Sequence, residues 1–152
     1  MSKYVMFDNN MYIYQYQGYD EAQSAITDYI KNGYIPIMSS IVAMEFLSNA
    51  SLERNPIQKM HREMYLATVA EIVPVDKVIA LKAAELRRKY QLNDEEIEAP
   101  DALIAATAIV KGAILVSNND QDFEFAKTLG LQYHNPITSQ SRLNTYLKSL
   151  RK

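Results

Sequence analysis

The chain has 152 residues, of which 48% are hydrophobic and 22% charged, with a formal net charge of −2 and a pI near 5.7. That is enough chain for one globular domain with its own core, it excludes a disordered segment, and it shows no basic field that would advertise nucleic acid. The lack of cysteine excludes disulfides, thiolate zinc sites and a cysteine nucleophile. No apolar run approaches the ~20 residues of a membrane helix and no signal core opens the chain, so a soluble cytoplasmic domain is expected.

In chain order, Tyr4 to Phe7 reads as a buried strand, followed by Asp8 and two asparagines. "DEAQSAITDYIKNG" predicts a helix ended by Gly33, with Ala22, Ala25, Ile26, Tyr29 and Ile30 on one face. "YIPIMSS" is a short strand and "SIVAMEFLSNA" a helix begun by serine. A helix from about Pro56 to Ala70 carries Ile57, Met60, Met64 and Ala67, and "EIVPV" is a third strand. Asp76 caps a helix whose Ile79, Ala83, Leu86 and Tyr90 recur at helical spacing. Pro100 opens the helix "DALIAATAIVK", which is apolar nearly all round and therefore buried on both sides. "GAILVSNND" and "LQYH" supply the last strands, and "SQSRLNTYLKSLRK" is a basic amphipathic helix striped with Leu143, Tyr146, Leu147 and Leu150. Strands alternating with helices predict an α/β domain with a mostly parallel sheet of four to five strands. The expected organisation is a domain over residues 1–138 and a tail helix over 139–152, packed on that domain or on a partner.

The acids fall at telling places. Asp8 follows the first strand, Asp120 and Asp122 follow the strand "AILV", and Glu45 lies within the apolar "IVAMEFL" helix. Asp101 is the only acid of its buried helix. Ligand sites of open α/β sheets lie outside the carboxyl ends of parallel strands, where Asp8 and Asp120/Asp122 must be. Each acid also has a plain structural reading, as turn, helix cap or dipole partner. Glu45 resists one, because an unpaired charge on an apolar face is expensive. Carboxylates gathered without cationic partners call for a cation, and all-oxygen ligands select Mg²⁺ or Mn²⁺ over zinc.

"YVMFDNNMYIY", "SSIVAMEF" and "APDALIAATAIVKGAILVSNNDQDF" resemble, in order and spacing, the signature segments of PIN-domain ribonucleases, especially the VapC-type toxins of prokaryotic toxin–antitoxin pairs. The resemblance covers the chain up to about His134. It implies a PIN-like α/β/α sandwich that hydrolyses RNA phosphodiesters with a divalent metal. By position, Asp8, Glu45 and Asp101 match three core acids. Asp122 aligns with the Asp before Phe, while Asp120 fits the variant in which Asp follows Ser-Asn more closely. Asn10 matches the motif's Asn, and Ser117 and Asn119 match polar residues that hold the site together. Asn9 departs from the usual Thr or Ser. The resemblance also implies an RNA substrate and a cognate antitoxin, with Met60, Met64 and Tyr65 or the tail stripe as docking surfaces, and a homodimer is expected of the protein alone.

Three rival readings exist. A haloacid-dehalogenase-type phosphatase needs an acid two residues after Asp8, where Asn10 stands. An inactive PIN-like binding module would keep the fold without turnover, and an assembly protein leaves Glu45 unexplained. Tyr12, Tyr14 and Tyr16 are candidate base-stacking surfaces. His61 and His134 read as a surface and a strand-end residue.

Overall fold

The computed structural model describes residues 3–151. Its strands are β1 (Tyr4–Phe7), β2 (Ile35–Ser39), β3 (Glu71–Val73), β4 (Ala113–Val116) and β5 (Gln132–His134). They form one sheet in the order β3-β2-β1-β4-β5, and every pairing is parallel. Parallel pairing demands long crossovers, and the helices between strands supply them. β1 lies at the centre, with Val5, Met6 and Phe7 almost wholly shielded, which accounts for its unbroken apolar run.

Helices flank the sheet: α1 (Asn9–Tyr16), α2 (Asp20–Lys31), α3 (Ser40–Phe46), α4 (Pro56–Leu66), α5 (Lys77–Leu92), α6 (Ala99–Lys111), the short α7 (Asp120–Phe123) and α8 (Gln140–Ser149). Asp76 caps α5 by accepting the Ile79 N–H at 2.9 Å. The stripe Ile79, Ala83, Leu86 and Tyr90 is the buried face of α5, each large member contributing ~1.5–3 kcal/mol. Helix α6 buries Ala102 and Ile104 through Ala108. Its one core hydroxyl, on Thr107, donates back to Leu103 O at 2.7 Å and so brings no unpaired donor inside. Gly112 ends α6 at φ +65° and turns the chain straight into β4.

Two segments differ from their periodicity. No helical pattern marks Asn9–Tyr16, where tyrosines at positions 12, 14 and 16 alternate as in a strand, yet α1 forms there. Asp8 accepts the Asn9 N–H at its start, and Met11 and Tyr12 bury against the core. Tertiary packing overrides the local pattern. Helix α4 is amphipathic but buries none of its residues fully, and Ile57, Met60 and Met64 are each more than half exposed. Those three side chains meet solvent, while Tyr65 and Leu66 at the end of α4 pack against the core.

Helix α8 lies across the α1–α2 corner. Leu143 is fully buried with Tyr19 and Ile137, Tyr146 donates to Gln17 O at 2.7 Å, and Arg142 pairs with Asp20 at 2.9 Å. A Cβ at Gly18, whose φ is +87°, would stand 3.0 Å from the Tyr146 hydroxyl. Leu143→Ala is therefore expected to destabilise the protein by about 2–5 kcal/mol, the cost of a core leucine, as read by urea denaturation. A loss within 0.5 kcal/mol would mean that α8 does not pack there in solution.

Candidate active site

A reversal of strand order creates the site. From β1 the chain builds outward to β2 and β3, then returns through α5 and α6 to place β4 on the other side of β1. Ligand clefts of open parallel sheets form at the carboxyl ends of the strands flanking such a reversal. Asp8 leaves β1 there, its N–H bonded to Val116 O at 2.9 Å, and Ser117 leaves β4 beside it.

Asp8 is only 6% exposed. One carboxylate oxygen accepts the Asn9 N–H at 2.8 Å and the other the Ser117 hydroxyl at 2.8 Å. Burial outweighs these bonds and holds its pKa above the usual carboxylate range, and the nearby Asp122 charge adds to the rise. Ser117 Oγ also accepts from Asn10 Nδ2 at 3.3 Å and from the Asn119 N–H at 3.1 Å. Asn10 Oδ1 accepts the Asn118 N–H at 3.4 Å. These bonds bind the loop after β4 to the start of α1.

Asp101, in the first turn of α6, has its pKa pushed up to about 7. Burial is the largest cause, followed by a hydrogen bond with Asp122 and by the charges of Asp122, Asp8 and Glu45. The closeness of these acids thus favours the protonated form of Asp101. Asn119 Nδ2 donates to Asp122 Oδ2 at 2.6 Å, and the Tyr90 hydroxyl donates to Asp122 O at 2.5 Å. Glu45 projects from α3, its pKa raised by burial and then by Asp8. None of the four forms an ion pair with a base among the described residues.

Asp120 stands apart. Its Oδ1 accepts the Tyr133 hydroxyl at 2.8 Å and Asn135 Nδ2 at 3.1 Å, and its charge does not figure among those acting on Asp101. Mutual charge effects thus group Asp8, Glu45, Asp101 and Asp122. They are near enough to repel one another, yet among the described residues no three acidic or histidine side chains are poised, as they stand, to hold a metal ion. The Ser117 hydroxyl holds Asp8 and the Asn119 amide holds Asp122 instead.

Several contributors carry no sequence signal of their role. Tyr90 reads as one more member of the α5 stripe, and only its hydroxyl reveals the contact to Asp122. The single O–H of Tyr133 lies within reach of two acceptors, Ser117 O at 3.0 Å and Asp120 Oδ1 at 2.8 Å. Arg87 and Gln91 of α5 line a cleft of about 350 Å³ shared with Gln121 and Asp122. Of the tyrosines near the site, Tyr12 is buried against Phe46 and Tyr65. Tyr16 is exposed beside a groove of about 470 Å³, which His61 and Arg62 also line. His134 ends β5 and hydrogen-bonds the Tyr29 hydroxyl at 2.7 Å.

A family model described as the PIN domain matches residues 5–128. The chain is a PIN-domain protein. Over 117 residues it is 27% identical to Ribonuclease VapC1 of Methanocaldococcus jannaschii, covering 73% of this chain and 82% of that protein. A toxin-antitoxin complex from Klebsiella pneumoniae contains a chain that superposes with a TM-score of 0.70 at 27% identity, over 88% of this chain and 98% of that one. VapBC2 from Rickettsia felis, bound to a DNA fragment from its promoter, superposes at 0.71 with 25% identity, over 86% and 97% of the two chains. Membership of the PIN family also removes the phosphatase reading, and Asn10 spends its amide on Ser117 and the Asn118 N–H instead of offering a second acid.

Proposed function

We propose that this PIN-domain protein is an endoribonuclease that uses Mg²⁺ or Mn²⁺ and acts in the cytoplasm as the toxin of a toxin–antitoxin pair. The observation that carries the reading is the mutual influence of Asp8, Glu45, Asp101 and Asp122, whose charges raise the Asp101 pKa, four carboxyls with no basic partner among the described residues. The likenesses to a protein named a ribonuclease and to a toxin-antitoxin complex support it. Among the described residues no helix is long and apolar enough to cross a membrane.

The donor set fits a hard divalent ion. It is all oxygen, and the raised pKa of Asp101 marks a place where positive charge is already favoured. Asp8, Glu45, Asp101 and Asp122 would hold the ion. Such an ion supplies a bound water of lowered pKa and neutralises charge developing on the phosphoryl oxygens. The chain's own groups do the positioning. Ser117 and the Asn9 N–H fix the orientation of Asp8, and Asn119 fixes that of Asp122. Asp101 gives up its proton near neutral pH, where the full negative charge of the site becomes available. Arg87, in the adjoining cleft, offers a cation for a neighbouring phosphate of the RNA strand.

For the antitoxin, we infer that the exposed Met60–Met64 face of α4 and the groove edged by Tyr16 and Tyr65 form the docking surface. Methionine adapts to irregular partners, and exposed apolar surface rimmed by charge marks association. A segment docked there would bring an Arg or Lys to the acids in the metal's place. Met60→Glu combined with Met64→Glu is expected to weaken the complex with the co-expressed antitoxin at least about tenfold, or 1.4 kcal/mol, by calorimetry. Unchanged affinity would move the interface elsewhere. A homodimer is expected of the protein alone, as measured by light scattering.

The reading itself is tested by sequencing cut ends of total RNA after incubation with and without Mg²⁺ or Mn²⁺. Defined internal cuts that need the ion are expected. RNA left intact under both conditions, by protein freed of its partner, would refute the ribonuclease.

A further inference from the structure

Two of the four acids stand on elements of very different strength. Asp101 belongs to α6, a helix of 13 residues, but Asp122 belongs to α7, which has only four. The last bond of α7 runs from the Glu124 N–H to Asp120 O at 2.9 Å, and a tighter 3₁₀ helix follows from Phe125. A single helical turn closes too few bonds to hold its own place, so its position must come from outside.

One buried hydroxyl supplies that grip. Tyr90, 1% exposed on the inner stripe of α5, donates its O–H to Asp122 O at 2.5 Å. Among the described residues no other side chain hydrogen-bonds the backbone of α7. The Tyr90 ring meets that of Phe125 edge-on, with centroids 4.9 Å apart, so the phenol is fixed on α5 and against the segment after α7. Burial first, then the charges of Glu95, Asp122 and Asp101, push its pKa up to about 12, which keeps it a donor at neutral pH. Helix α5 packs along α6. Tyr90 therefore ties the element bearing Asp122 to the helix pair that carries Asp101. Packing does not account for the hydroxyl, since a phenylalanine would fill the same space with no polar atom to satisfy. Asn119 holds the Asp122 carboxylate at 2.6 Å and Tyr90 holds the carbonyl of the same residue. Asp122 is gripped at both ends.

We propose that Tyr90 is a positioning residue for the metal site: through Asp122 O its hydroxyl fixes α7 against the α5–α6 pair and so sets the Asp122 carboxylate where it joins Asp101 in holding the ion. It touches neither substrate nor ion and acts only through Asp122. Groups that hold metal ligands from behind in this way are worth about 10–100-fold in metal affinity. The inference rests on the metal-dependent reading for its role.

The test titrates Mn²⁺ into the metal-free protein and follows the free ion by electron paramagnetic resonance, with no RNA present. Tyr90→Phe is expected to weaken Mn²⁺ binding about tenfold. In an Asp122→Asn background the same change should matter less than about twofold, because a residue that acts through Asp122 has nothing left to position. Leu86→Ala, one turn earlier on the same buried stripe, controls for lost stability. It should lower the melting temperature yet leave Mn²⁺ affinity within about twofold. Unchanged affinity in Tyr90→Phe, an equal loss in both backgrounds, or an equal loss in Leu86→Ala would overturn the proposal. So would a Tyr90→Phe chain that fails to fold, since the hydroxyl would then serve the fold itself. Unaltered protein that binds no Mn²⁺ would refute the metal reading and this inference with it. Protein that binds Mn²⁺ with these differences but cuts no RNA would refute the ribonuclease and leave the role of Tyr90 standing.

Discussion

Replacing Asp101 with Asn is expected to lower RNA cleavage by about 10³-fold without lowering the melting temperature of the metal-free protein. Asp101 is the member of the acid group that feels all the others, through the Asp122 hydrogen bond and the charges of Asp122, Asp8 and Glu45. Losing one charged ligand of a hydrolytic metal site removes several kcal/mol of transition-state stabilisation, and ~4 kcal/mol is about three decades in rate. Stability moves the other way. An Asn amide can donate to Asp122 without borrowing a proton, and it takes one desolvated charge out of the crowd. Asp28→Asn, on the exposed side of α2, serves as the control for a surface acid. Cleavage within a few-fold of the unaltered protein would exclude Asp101 from the chemistry. A melting temperature well below that of the control would mean that Asp101 supports the fold.

A divalent ion is expected to raise the melting temperature by roughly 5–10 °C when present at a hundredfold over its dissociation constant, with the larger rise above neutral pH. Binding at that excess is worth about 2.7 kcal/mol, and a domain of this size gains ~2–4 °C per kcal/mol. The pH dependence follows from the raised pKa values of Asp101, Asp8 and Glu45. Below the ordinary carboxylate value of 3.8 the native and unfolded chains both keep the Asp101 proton, and it contributes nothing. Between 3.8 and about 7 the native chain still holds a proton that the unfolded chain has released, so stability falls as pH climbs and the loss is complete above about 7. Asp20, held low first by its bond to Arg142, acts oppositely and loses its contribution only in acid. Metal-free protein should thus melt lower at pH 7.5 than at pH 5, and Mg²⁺ should cancel most of the difference. Because the ion displaces a proton, calorimetric titrations near pH 6 in two buffers of different ionisation heat should disagree. Identical heats with no melting shift would mean that the acids do not bind the ion.

Much of this protein is written locally. The stripe of α5 and the near-continuous apolarity of α6 and β4 became the core because burial is a property each side chain carries wherever the chain takes it. The placing of Asp8 and of Asp120/Asp122 beyond strand ends was legible for a similar reason: a parallel sheet puts every such end along one edge. Glu45 could be singled out by its cost on an apolar face. Other features depend on neighbours far along the chain. Helix α1 forms against its own tyrosine alternation because Met11 and Tyr12 find a core supplied by α3 and β1. The methionine face of α4 has the same spacing whether it meets core or water, and only the assembled fold leaves it exposed. Asp120 and Asp122 differ by two positions, and motif spacing alone admits either. Helix α7 turns one toward Tyr133 and Asn135 and the other toward Asp101, because a rotation of ~100° per residue sends side chains two apart to opposite sides. The raised pKa of Asp101 belongs to no single segment, since a pKa is set by the charges and solvent around a group, and those are decided only when distant elements meet.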